Sequence, residues 1–243
     1  MVLPKNTIFQ ANKSLKQKRG GLTFCTLHSP EDFLACVDLQ NQAWPESTIP
    51  VSLLAVLPLT GGLVAGAFNS KGRLLGCVTS SLAKIAGKLA HWSNRLVVSE
   101  EARDMNIGGN LKEFQKAYCL DQGIKKIYWS YDPLIARNAH LNLNKLGAKV
   151  VEYVEDMYAG SERNDHGMGS DRFIVEWNLI KPNRGKPTGD VKIEIPETMP
   201  DDPKWRLKTR NQFQSYLKRG YRVAGFNRDK GSHRCFYFLK PTE

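Results

Sequence analysis

ARDMNIGGNLKEF, residues 102–114, is the stretch on which the fold turns. An arginine leads, a short mixed run follows, and Gly108 and Gly109 sit where a helix should begin. Ile107, Leu111, Phe114 and Tyr118 fall at i, i+4, i+7 and i+11, one face of a helix that stops near Gly123. Glycine costs a helix about 1 kcal/mol against alanine, so two at its opening ask for a reason. A strand feeding a glycine-containing turn at a helix N-terminus can hold phosphates: backbone N–H groups converge, the helix dipole favours negative charge, and missing Cβ atoms admit an anion. The commoner nucleotide fingerprints are absent. There is no Gly-x-x-x-x-Gly-Lys-Ser/Thr and no Gly-x-Gly-x-x-Gly with an acid about twenty residues on.

Outward from this stretch the chain alternates between strands and helices. LTFCTLHS reads as a first strand. Ser29-Pro30-Glu31-Asp32 then opens a helix to about Gln42, with the serine as cap and acids near its positive end. The uncharged run from Ser47 to Ser70 is long enough to span a membrane, but Pro50, Pro58 and Gly61-Gly62 divide it. A short helix, Val51 to Val56, and a strand, Gly62 to Phe68, are expected there. Arg73 to Ile85 and Leu89 to Val98 form a hairpin around Gly87. After the glycine helix come a strand KKIYWSY, a helix from Pro133 to Gly147, and strands KVVEYVEDMY and DRFIVEWNL, with a polar loop holding His166 between these two. KPNRGKPTGD marks a boundary. Beyond it lie a strand VKIEI, a helix begun by Asp201 or Asp202 and Pro203, and strands YRVAGF and CFYFL. Trp205, Phe213, Tyr216 and Leu217 form that helix's apolar side.

The five cysteines (Cys25, Cys36, Cys77, Cys119 and Cys235) are odd in number and scattered, which points to reduced thiols in a cytoplasmic setting and to no zinc site. No secretory signal is expected, because the first twenty residues lack a continuous apolar block. The net charge of +11 is concentrated at the ends: five Lys/Arg and no acid in residues 1–20, fifteen basic and seven acidic residues in 181–243. Such ends are compatible with nucleic acid, an anionic membrane or an acidic protein partner, and equally with solvated charge on a tail and one helix. Nucleic acid is disfavoured. Lys204, Arg206, Lys208 and Arg210 alternate by two, which spreads them around a helix, and no nucleic-acid motif accompanies them.

Arg103-Asp104-Met105-Asn106-Ile107-Gly108 resembles the Arg/Gln-x-x-Gly-x-Gly/Ala turn of the GNAT superfamily of CoA-dependent acyltransferases, with Asn106 in place of the first glycine. Asparagine tolerates left-handed backbone better than most residues. W-x-x-D-P-L from Trp129, R-N-A-x-x-N-L-x-x-L-G from Arg137 and D-R-F-I-V-E-W from Asp171 resemble a poorly characterised branch of that superfamily with a C-terminal extension. The resemblance implies an α/β protein of the α+β type: a mixed, largely antiparallel GNAT-like sheet flanked by helices, with a β-α-β-β extension. It implies a basic tail over residues 1–20, an acyltransferase domain over 21–180 and an extension over 181–243. Acetyl-CoA or another acyl-CoA is the implied co-substrate, with no metal. Val97, Val98, Arg103, Asn106, Ile107, Gly108, Gly109, Asn110 and Asn138 would contact it.

Acyl transfer also needs an oxyanion donor and proton carriers. The resemblance places the donor on the backbone of Leu96, Val97 and Val98. The carboxylate position of many relatives is Asn94 here, and the tyrosine position is Leu143; neither carries a proton. Asp132 is a substitute base, although Asp-Pro before a helix is also a cap pair. Arg137 could grip an anion or pair with Asp132. His91 and Trp129 read as structural, Glu100 and Glu101 should point away from the turn, and His140 reads as a surface residue. The acceptor expected is the amine of a small molecule or amino acid, and the chain a monomer or homodimer not inserted in a membrane. The alternatives are an enzyme acting on acyl groups of an acyl carrier protein, by transfer or decarboxylation, and a non-catalytic CoA-binding module.

Overall fold

The computed structural model describes residues 14–45, 47, 49–159, 169–183, 187–229, 231 and 233–242. His166 and most of the basic tail lie outside them. The chain divides into two units, Met1–Ile127 and Tyr128–Glu243.

In the first unit five strands lie side by side in chain order, each antiparallel to the next: β1 (Lys16–Arg19), β2 (Leu22–Thr26), β3 (Leu63–Phe68), β4 (Leu74–Ile85) and β5 (Lys88–Val98). β1 was not anticipated. All four of its side chains are exposed, so no apolar alternation announces it, and it forms by pairing with β2. At the tip of the β4–β5 hairpin Ala86 and Gly87 both have positive φ, the requirement of a two-residue turn matched to strand twist. α1 (Pro30–Ala43) starts in the expected way: Ser29 and Asp32 form a reciprocal capping box. With α2 (Val51–Val56) it packs Phe33, Cys36, Leu39 and Leu54 against Leu27, Val64, Cys77 and Val97. α3 (Ile107–Asp121) meets the sheet through Ile107, Leu111, Phe114 and Tyr118, all buried.

The division falls within β6 (Lys126–Tyr131). The second unit continues with α4 (Ala136–Ala139), a π-helical turn over His140–Lys145, β7 (Lys149–Val154) and β8 (Arg172–Asn178), in the strand order β6-β8-β7. The helix expected from Pro133 is therefore shorter and wider than its periodicity suggests. The extension has the expected β-α-β-β order: β9 (Val191–Pro196), α5 (Lys204–Lys218), β10 (Tyr221–Asp229) and β11 (Arg234–Pro241), with its own antiparallel sheet in the order β10-β11-β9. An edge-to-face aromatic cluster of Tyr131, Tyr153, Phe173, Phe213 and Tyr237 joins it to β6, β7 and β8. On α5 Phe213 is buried as expected, but Arg206 and Thr209 are buried beside it. Among the described residues no helix is long and apolar enough to cross a membrane.

Candidate functional site

The turn before α3 is built from two left-handed residues that are not glycine, Asp104 (φ 70°) and Asn106 (φ 55°). Asn106 takes the left-handed conformation directly before α3, and among the described residues no side chain caps the helix. Its first-turn N–H groups consequently have no intrahelical partner and face outward with the positive end of the dipole. The two glycines have different reasons. A Cβ on Gly109 would lie 2.7 Å from the Asn106 Oδ1, so Gly109 makes room for its neighbour. A Cβ on Gly108 would meet Leu96 and Val98 at ordinary contact distances, so Gly108 seats α3 closely on β5.

Arg103 reaches back to Glu100 (2.7 Å) and Arg73 pairs with Glu101 (2.9 Å), both at the surface. The two glutamates are thus neutralised beside the turn. Exposed pairs of this kind contribute about 0–1 kcal/mol, so neither arginine is held strongly. Asn110, in the first turn, accepts a hydrogen bond from Arg19 of β1.

β5, which leads into this turn, is irregular at one place. Thr79 pairs with Arg95 and Ser80 with Ser93, which leaves Asn94 as an extra residue, a β-bulge. The bulge resets the alternation. His91, Ser93, Leu96 and Val98 share the face toward α3, whereas Arg95 and Val97 share the face toward α1 and α2. Asn94 donates to Ser81 Oγ at 2.8 Å. Arg95 lies 4.8 Å from the Trp44 ring centroid and donates to the Ser47 carbonyl and hydroxyl, tying the segment between α1 and α2 to β5.

Behind the turn, the contact between α3 and β5 holds one polar cluster. Lys112 is 2% exposed, and its Nζ donates to Ser93 Oγ (2.8 Å) and Gln115 Oε1 (3.2 Å). Burial lowers its pKa to about 7, with the nearby Cys119 acting in the opposite direction. His91 bonds Ser80 through Nδ1 at 2.8 Å, meets the Tyr118 ring edge-on, and is lowered by burial to about 4, so it is structural and neutral.

In the second unit Asp132 is not open to a substrate. Its carboxylate takes two hydrogen bonds from Arg206 (2.8 and 2.5 Å), one from Arg172 (3.3 Å) and one from the Leu134 N–H (2.8 Å). At 4% exposure it caps the turn and anchors α5, and this corrects its candidacy as a base. Arg137 is exposed; Arg206 and Arg172 are the partners of Asp132. Asn138 is half-buried on α4. Leu143, where a tyrosine was sought, lines a cavity of about 380 Å³ with Pro187, Val223 and Gly225, so the extension occupies its surroundings. His140 is half-buried, not a free surface residue.

The motif residues of the narrower resemblance are scaffold. Trp129 donates to Asn142 (3.2 Å) and meets Trp177 edge-on; Asp171 holds Arg210 of α5; Glu176 accepts from Tyr128. With Arg206 and Arg210 turned inward in ion pairs, the alternating basic set on α5 does not form an outward stripe. Sequence reasoning missed the bulge, Lys112, Ser93 and Gln115. One signal was available: Gly108, Lys112, Gln115 and Cys119 repeat the i, i+4, i+7, i+11 spacing one residue after the apolar stripe.

No known family's sequence pattern matches this chain, and no curated protein sequence does. Solved structures do. The ribosomal-protein-S18-alanine N-acetyltransferase of Escherichia coli is 13% identical, with 65% of this chain and 94% of that one covered at a TM-score of 0.52. A GNAT family acetyltransferase from Elizabethkingia anophelis with acetyl-CoA bound is 15% identical, covering 66% and 99% at 0.51. A chain of the NatC complex bound to Gag peptide and CoA is 15% identical, covering 65% and 98% at 0.53. The chain has the fold of the GNAT acetyltransferases, extended by a C-terminal sheet and helix.

Proposed function

We propose that the protein is an acyl-CoA-dependent N-acyltransferase that passes an acetyl or other short acyl group to the amine of a small molecule or amino acid. One observation carries the reading: in a GNAT fold, an uncapped helix with left-handed Asn106 before it is seated by Gly108 on the bulged strand β5. The N–H groups of residues 107–109 and the Arg103 guanidinium would hold the pyrophosphate, the Asn110 N–H being already given to the Asn106 carbonyl. A backbone N–H of Leu96–Val98 would face the thioester oxygen, where one such donor is worth about 10²- to 10³-fold in rate. The amine nitrogen bonds to the thioester carbon, the C–S bond breaks, and the amine proton passes to the departing sulfur. Asn94 and Leu143 cannot carry that proton and Asp132 is enclosed, so water is the carrier and the gain comes from holding the two reactants together.

Calorimetry with acetyl-, succinyl- and malonyl-CoA tests the reading, beside Arg103→Ala and Asn106→Val, which removes a residue tolerant of left-handed backbone. Binding is expected in wild type, weakened about tenfold in Arg103→Ala, the scale of one charge-assisted hydrogen bond, and lost in Asn106→Val. Wild type that binds none of the three overturns it. The same absence of proton-carrying side chains favours a second reading, a CoA-binding module without turnover. Release of free CoA thiol from acetyl-CoA, followed with a panel of primary amines, separates the two.

A further inference from the structure

Lys112 is a costly residue where it stands. It lies in the second turn of α3, in the same row as Gly108, and is buried against β5 with its ammonium on neutral oxygens of Ser93 and Gln115. Its helix neighbours Ile107, Leu111 and Phe114 are buried and apolar, and a methionine or leucine at 112 would fill the same space without a desolvation penalty. Gln115 is itself fully buried, with no partner for its Nε2 among the described residues. Such a polar set inside an apolar contact calls for a reason beyond packing.

The position of Ser93 supplies one. It is the last regularly paired residue before the Asn94 bulge, and the direction of every N–H group from there to Val98 depends on how the bulge is held. From one side Asn94 is held by Ser81. From the α3 side Ser93 is held by Lys112. We propose that Lys112 is a positioning residue for acyl transfer: by tying α3 to Ser93 it fixes the Asn94 bulge and aims the backbone N–H groups of Leu96–Val98. The inference rests on the acyltransferase reading. It adds that the phosphate-binding helix and the acyl-binding strand are joined by one buried lysine.

An ammonium donates to both oxygens at once, whereas a neutral amine can also accept from the Ser93 hydroxyl, so the tie changes with protonation. The titratable groups sharing this interface are Cys119 and Tyr118 on α3 and His91 on β5. His91 titrates near 4 and Cys119 near 12, well away from neutrality.

The experiment uses the full chain, ¹⁵N-labelled, as wild type, Lys112→Met and Ser93→Ala. Amide shifts of residues 94–98 are followed from pH 5.5 to 9, and CoA and acetyl-CoA affinities are measured by calorimetry. In wild type these amides should titrate together near pH 7. In both variants that titration should vanish, CoA affinity should stay within about twofold, and acetyl-CoA affinity should fall about tenfold, the worth of one misaligned hydrogen bond. Amides that do not titrate in wild type, a titration that survives Lys112→Met, or unchanged acetyl-CoA affinity in both variants overturns the positioning role. Wild type that binds neither CoA nor acetyl-CoA overturns the acyltransferase reading instead, and leaves the amide titration to report on the Lys112–Ser93 tie alone.

Discussion

At the scale of single residues, buried charges decide the most. Lys112 has an ordinary value of 10.5 lowered to about 7 by burial. Between those values the unfolded chain binds the proton and the folded chain does not, so stability rises with pH across this window and the contribution is lost as pH falls to 7. Lys112→Met should remove a slope of about 1.4 kcal/mol per pH unit between pH 7.5 and 10 and raise stability at neutral pH. Urea unfolding of the two proteins over that range measures it; parallel curves would show that the lysine is not desolvated. Removing Asp132 has the opposite effect on stability, because its cationic partners stay behind. Asp132→Ala leaves Arg206 buried without its carboxylate and should cost about 3–5 kcal/mol. The double variant with Arg206→Met should recover much of that loss in a double-mutant cycle. A base would instead show lost turnover with unchanged stability.

At the scale of elements, the decisive feature is one extra residue in β5. Deleting Asn94 restores strict alternation, so either Ser93 and His91 or Leu96 and Val98 must leave the α3 face. The shift should dislodge α3 and the Asn106 turn before it, the proposed phosphate site. Loss of acetyl-CoA binding is expected, with a drop in unfolding midpoint visible by circular dichroism. Retained binding would mean that the strand tolerates either register. The π-helical turn at His140–Lys145 is a second irregularity of this kind. It places Asn142 for Trp129 and Asn144 for the carbonyl of Phe226, two partners in different strands.

At the scale of the molecule, the extension is part of the second unit's core. Arg206 and Arg210, one turn apart on α5, engage Asp132, Asp156 and Asp171, while Phe213 and Tyr237 complete the aromatic cluster around Phe173. A chain ending after Ile180 should therefore expose Phe173 and strand Asp132 and Asp171 without their arginines. It should express as aggregate or unfold without a cooperative transition. A soluble truncated protein with a sharp melting transition would show the extension to be an appendage.

The sequence by itself determined the elements that local chemistry can specify. Ser29-Pro30 starts α1, Ala86-Gly87 closes the hairpin, and the 107/111/114/118 row builds α3, because caps, turns and periodic apolar rows act over a few residues. The left-handed turn at Asn106 and the close seat of Gly108 were legible for the same reason. The tertiary structure alone decided what depends on distant partners. A bulge is a mismatch between two strands and cannot be seen in one. Lys112, flanked by Glu113 and Lys116, reads as a solvated residue until β5 covers it, and Asp132 reads as a possible base until Arg206, 74 positions away, occupies both its oxygens.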